Sequence, residues 1–219
     1  MTTNVENSLP SYNNLPDAFA ISLAEYGAIA LHGEEQSKYL QGQVTCDVNT
    51  LEDNNLLLGA HCDAKGKVFS VFRLINRQNT HLLLQPKASI DVSLTELKKF
   101  GVFAKVTIEQ TTNLAFYAVV GKNASKVLHQ QFDELPNSLT PVLQVGTTTI
   151  VYLAGKLKRY LIIDQAEIVD KIKNLPKKNT IYLLAPIVRG RKGEYKKEIA
   201  SYKRRGFQKQ KYRFNLAKF

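Results

Sequence analysis

The chain is predicted to fold as an α+β protein of two lobes with a basic, poorly packed tail, and three observations carry that prediction. Short β-branched runs alternate with stretches of helical apolar spacing as far as residue 185. The apolar rhythm then stops at Pro186. Residues 1–185 hold eighteen Lys or Arg against seventeen Asp or Glu, and residues 186–219 hold twelve against two, so the formal net +11 divides as +1 and +10. The expected organisation is an arm over 1–17, a first α+β lobe over 18–112, a second lobe over 113–185 and the tail over 186–219.

The arm is polar and rich in Asn, without the basic and apolar regions of a signal peptide. Ile21 to Leu31, broken by Gly27, reads as a strand pair or a strand and turn. After Gly33, Glu34 and Glu35 suit the positive end of a helix that buries Leu40 and Tyr39 and stops at Gly42. Leu56 to Cys62 and Val68 to Ile75 form a hairpin around Asp63-Ala64-Lys65-Gly66-Lys67, with glycine available for a left-handed turn position. In the second strand Phe69, Val71 and Arg73 alternate with Ser70, Phe72 and Leu74, so both faces are expected to be covered. His81 to Gln85 continues as a strand and Pro86 breaks it. Ile90, Leu94 and Leu97 then mark a helix ending near Gly101, and Val102 to Ile108 is predicted as a strand.

In the second lobe, Leu114 to Val120 is a strand and Ala124, Val127, Leu128 and Phe132 a helix. Thr147 to Leu153 and Arg159 to Ile163 are strands, and Ile168, Val169, Ile172 and Leu175 a helix. With Ile181 to Leu184 as a closing strand the order becomes βαββαβ, the ferredoxin-like arrangement. No internal repeat is visible.

Composition excludes several classes. Only Cys46 and Cys62 occur, with no paired spacing, which favours a reducing cytoplasm over a disulfide framework. No apolar run approaches the roughly 20 residues of a membrane span. Gly59 to Lys67 ends in Gly-Lys but is no phosphate loop: six residues separate its glycines and Val68 follows the lysine. His61, Cys62, Cys46 and Asp47 show no metal-ligand spacing, and neighbours on a strand point to opposite faces. Gly121-Lys122-Asn123 is a generic anion-friendly corner. The tail interleaves Tyr and Phe with Arg189, Arg191, Lys203, Arg204 and Arg205, a composition suited to non-specific RNA binding.

Lys38-Tyr39-Leu40-Gln41-Gly42-Gln43-Val44-Thr45-Cys46-Asp47-Val48 and Gly59-Ala60-His61-Cys62-Asp63-Ala64-Lys65-Gly66-Lys67-Val68 resemble the YgfZ family, bacterial folate-binding, tRNA-modifying proteins related to the glycine-cleavage T protein. Leu94 to Phe100 followed by Val102 to Ile108 matches the same pattern, and the resemblance spans about residues 18 to 185. It implies a T-protein-like first lobe and tetrahydrofolate or a related folate as ligand. It also implies a role in tRNA modification and iron–sulfur enzyme upkeep, with tRNA or a tRNA-modifying iron–sulfur enzyme as partner. By that resemblance Tyr26 and Tyr182 stand where the family places folate-contacting tryptophans. Asp47 and Asp63 are the carboxylates in matching segments that a one-carbon (aminomethyl) transfer would use, and no catalytic residue is assigned. After Ala185 the family's Lys-Gly-Cys-Tyr motif does not follow, so a truncated or frameshifted member is expected. Of oligomeric states a monomer is favoured.

Overall fold

The computed structural model describes residues 16–155, 157–165 and 172. The first two strands, β1 (Phe19–Ser22) and β2 (Tyr26–His32), are adjacent in sequence yet enter different sheets. The turn between them is fixed by Leu23 N–H donating to Phe116 O at 2.9 Å. The described residues accordingly divide into one unit over 25–111 and another that joins 16–24 to those from 112 onward.

The first of these contains β2, α1 (Gln36–Gln41), β3 (Leu57–Cys62), β4 (Val68–Arg77), β5 (Thr80–Pro86), α2 (Ile90–Phe100) and β6 (Thr107–Gln110). Its antiparallel sheet runs β3-β4-β5-β2-β6. Gln78 and Asn79, both with positive φ, make the two-residue β4–β5 turn whose backbone twist matches the flanking strands. Ile29, Leu31, Phe72, Leu74 and Leu83 meet Leu40, Ile90 and Leu97 in one core. The alternate residues Ala28, Ala30, Arg73, Ile75, Leu82 and Leu84 are buried as well, so the sheet is covered on both faces as its sequence predicts.

The other unit contains β1, β7 (Leu114–Val120), α3 (Ala124–Leu128), β8 (Val142–Val145), β9 (Thr148–Leu153) and β10 (Arg159–Gln165), in the antiparallel order β1-β7-β10-β9-β8. Val119, Leu128, Phe132, Ile150, Tyr160, Ile162 and the helical residue Ile172 form its core.

Read from the hairpin edge, the two sheets are one topology drawn twice. β8-β9-β10-β7-β1 repeats β3-β4-β5-β2-β6, with α3 in the place of α1. The corner is repeated too. Gly33 after β2 and Gly121 after β7 both have φ +138, and at each a Cβ would collide with the backbone entering the edge strand, Lys105 before β6 and Asp17 before β1. No repeat is visible in the sequence because it lies in the backbone path and not in shared side chains.

Three expectations change. Within the described residues the second lobe departs from the predicted βαββαβ order: β8 adds a strand, and β1 pairs with Tyr117–Val120 beside β7. The predicted elements at 168–175 and 181–184, apart from Ile172, and the basic tail lie outside the described residues. Val102 to Ile108 is not a strand throughout, since β6 begins only at Thr107. Finally, Phe19–Ser22, expected with the first lobe, pair in the sheet of the later segment. No helix among the described residues is long and apolar enough to cross a membrane.

Candidate functional site

Tyr26 opens β2, and its hydroxyl donates to Leu84 O across β5 at 3.0 Å. Burial raises its pKa, against which the charge and hydrogen bond of Arg73 act. Tyr26 is 2% exposed and Arg73 6%. A phenol beside a guanidinium can recognise a planar, anionic ligand, by ring contact and charge-assisted hydrogen bonding. The fit to a folate is incomplete on the described residues: at this exposure Tyr26 offers no open ring face, so stacking requires that the ring be uncovered. Tyr182, and Arg189, Arg191, Lys203, Arg204 and Arg205, lie outside the described residues.

The two family-like motifs are brought side by side. Thr45 N–H donates to Ala60 O at 3.0 Å, Ala60 N–H donates to Thr45 Oγ1 at 2.9 Å, and Val44 bridges His61. Gly59 is required there because a Cβ would press on Cys46 Sγ and the Phe72 ring. Asp47 precedes a short 3-10 turn, Val48–Thr50, and its carbonyl accepts both the Thr50 N–H at 3.1 Å and the Thr50 hydroxyl at 2.7 Å. Asp63 closes the β3–β4 turn: its carboxylate accepts Lys67 N–H at 2.7 Å and its carbonyl accepts Gly66 N–H at 2.8 Å. That carboxylate is engaged in holding the hairpin.

Behind this segment lies a buried polar group that the sequence did not reveal. His61 Nδ1 is 2.9 Å from Ser93 Oγ on α2, Ser70 Oγ donates to the same oxygen at 3.3 Å, and the His61 ring packs on Phe69. Burial, opposed by the charge of Glu96, takes the His61 pKa down to about 4. Burial, helped by Asp63, pushes the Cys62 thiol up to about 12. A neutral imidazole beside a protonated thiol is the reverse of an activated thiolate pair. Among the described residues no group of three or more His, Cys, Asp or Glu is placed to hold a metal. Gln85, opposite Gly27 and fully buried, has hydrogen-bond partners for neither atom of its amide. Its position inside an otherwise apolar strand run gave the only hint of it. At the Gly121 corner the backbone amides are already used, Asn123 N–H donating to Asp17 O at 2.8 Å and Ala124 N–H to Gly121 O at 3.3 Å.

With this geometry in place, three comparisons bear on the chain. It is 61% identical over 172 residues to a tRNA-modifying protein YgfZ of Colwellia psychrerythraea, covering 78% of this chain and 53% of the relative. To that of Vibrio atlanticus it is 40% identical over 153 residues, 70% of this chain and 46% of the relative. The chain thus spans about half the length of the curated relatives it matches. A crystal structure of glycine cleavage system aminomethyltransferase T from Bartonella henselae aligns with a TM-score of 0.60 at 13% identity, over 72% of this chain and 46% of that one, which shows a shared fold. Residues 164–213 match a family model described as the UvrA interaction domain. That match starts inside β10 and takes in most of the basic segment.

Proposed function

We propose that this chain, a homologue of the tRNA-modifying protein YgfZ over 172 of its residues, is a folate-binding accessory protein of tRNA modification that supports iron–sulfur enzymes in the cytoplasm. The observation that carries the reading is the 61% identity, which runs through most of the chain. The T-protein fold supports it by supplying the same scaffold. On this reading Tyr26, once its ring is uncovered, contacts the pterin ring of a tetrahydrofolate, with Arg73, hydrogen-bonded to Tyr26, beside it, and Tyr182, which lies outside the described residues, is the second aromatic that the resemblance implies. The folate supplies a carrier for one-carbon units when bound. The test is the nucleoside profile of bulk tRNA from cells with and without the gene. Thiolated nucleosides fall in its absence, and an unchanged profile contradicts the proposal.

One-carbon transfer is the less supported alternative, because Asp63 already holds its turn and the likeness to an aminomethyltransferase is one of fold. Methylene transfer from an aminomethyl donor to tetrahydrofolate, measured on the purified chain, separates the two.

A second reading rests on the family match at 164–213. Here the C-terminal segment serves protein interaction of the UvrA type, in place of the non-specific RNA binding that its charge suggests. Retention of the chain on immobilised UvrA, lost when residues 186–219 are deleted, supports it. Equal retention of both forms contradicts it, and binding to RNA alone, falling steeply with salt, returns the segment to the electrostatic reading.

A further inference from the structure

The turn between α2 and β6 exposes three apolar side chains within four residues: Phe100 is 62% exposed, Val102 72% and Phe103 99%. Hydrophobic groups are scattered singly over most surfaces, whereas a cluster of large ones held outward marks a contact site. This turn is held. Gly101 N–H donates to Leu97 O at 3.1 Å, Ala104 N–H to Gly101 O at 3.1 Å and Val106 N–H to Ala104 O at 2.8 Å. Its far end is braced on the Gly33 corner, where Lys105 N–H donates to Glu35 Oε2 at 3.0 Å and Glu35 N–H donates to Lys105 O at 3.3 Å.

The same stretch carries Lys98, Lys99 and Lys105, with Glu96 on α2 and Glu34 and Glu35 from the Gly33 corner against them. The ion pairs Lys105–Glu34 and Lys99–Glu96 are exposed, and such pairs exchange partners at little cost. Aromatic rings on a fixed turn among mobile ammonium groups suit a strand that offers flat faces and phosphates together. A protein with an acidic rim is the competing occupant, and the experiment below separates the two.

We propose that the Phe100–Lys105 turn is an RNA contact, in which Phe103 stacks on an unpaired base of tRNA while Lys98, Lys99 and Lys105 meet the backbone phosphates. This deepens the tRNA-modification reading and rests on it.

The chain has no tryptophan, so a single introduced indole reports alone. In the full-length chain, Phe103→Trp and, as a control at an exposed site on the other unit, Leu139→Trp are titrated with unmodified tRNA transcript. A parallel gel-shift assay measures binding itself. Quenching of the Phe103→Trp emission, absent from Leu139→Trp, is expected, and Phe103→Ala weakens binding about tenfold, the worth of one stacked base. The melting temperature of Phe103→Ala stays that of the parent, since the ring touches no core. A gel shift with no quenching at position 103 overturns this inference and leaves the tRNA reading standing. The absence of any gel shift overturns the contact and argues against the chain as a tRNA-binding component. If Phe103→Ala changes the sedimenting mass of the chain but not its tRNA affinity, the turn is a protein interface instead.

Discussion

The unit built on β2 to β6 and the unit built on β7 to β10 with β1 follow the same backbone path with different contents. One carries the family-like motifs, two buried histidines and an amide without partners under its helices. The other packs its apolar core beside a buried hydrogen bond from Thr148 to Asp164, and its one described histidine, His129, is exposed. Their edge strands also arrive differently: β6 closes its sheet from the end of the unit, and β1 closes the other from before it. Topology is therefore set by what the two share, strand alternation and a glycine corner. They differ in the polar groups that each buries.

The largest expected effects break the shared corner. Gly33→Ala and Gly121→Ala each place a Cβ against backbone at φ +138, and each lowers stability by about 3 kcal/mol in denaturant unfolding. A large loss at one glycine and none at the other would show that the two corners are not equivalent. Next come the helices that cover the sheets. Leu97→Ala on α2 costs about 3 kcal/mol, and Ile172→Ala, buried in the core of the other unit, costs a similar amount.

Acid sharpens the difference between the units. Burial holds the His61 pKa at about 4 and lowers that of His81, so the unfolded chain binds protons that the folded chain does not. The associated stability is complete above pH 6.5, the usual histidine value, and is lost as pH falls toward 4, by about 1.4 kcal/mol per pH unit for one fully titrating group. Hydrogen exchange followed from pH 7 to 4 should loosen the β2–β6 unit first, and His61→Gln should flatten its slope. Equal loosening of both units would remove the contrast. The smallest effect is at Gln85, where Gln85→Leu removes an unpaired buried amide and raises stability by about 1 kcal/mol. A loss of similar size would mean that the amide has a partner after all.

Much of the fold was legible because its signals are local. Gly66, Gly42 and Gly101 mark ends that the structure places within a residue or two, and Leu114 to Val120 is a strand over the expected span. The misses are non-local. Nothing in Phe19–Ser22 says that it pairs with β7 across almost a hundred residues. Val102 and Phe103 read as the start of a strand, but they belong to a turn that holds them in water. β8 was hidden in a short run after Pro141. At the candidate site, resemblance singled out Tyr26, while its burial and its hydrogen bond with Arg73 depend on packing that no periodicity encodes. Asp63 illustrates the reverse, a residue chosen for its carboxyl whose geometry is that of a turn.

Titration calorimetry of the purified full chain with tetrahydrofolate tests the central claim most directly. The account predicts saturable heat at one ligand per chain, weakened by Tyr26→Ala under conditions where that variant remains folded. No heat at any accessible tetrahydrofolate concentration, with the parent chain folded, would contradict it.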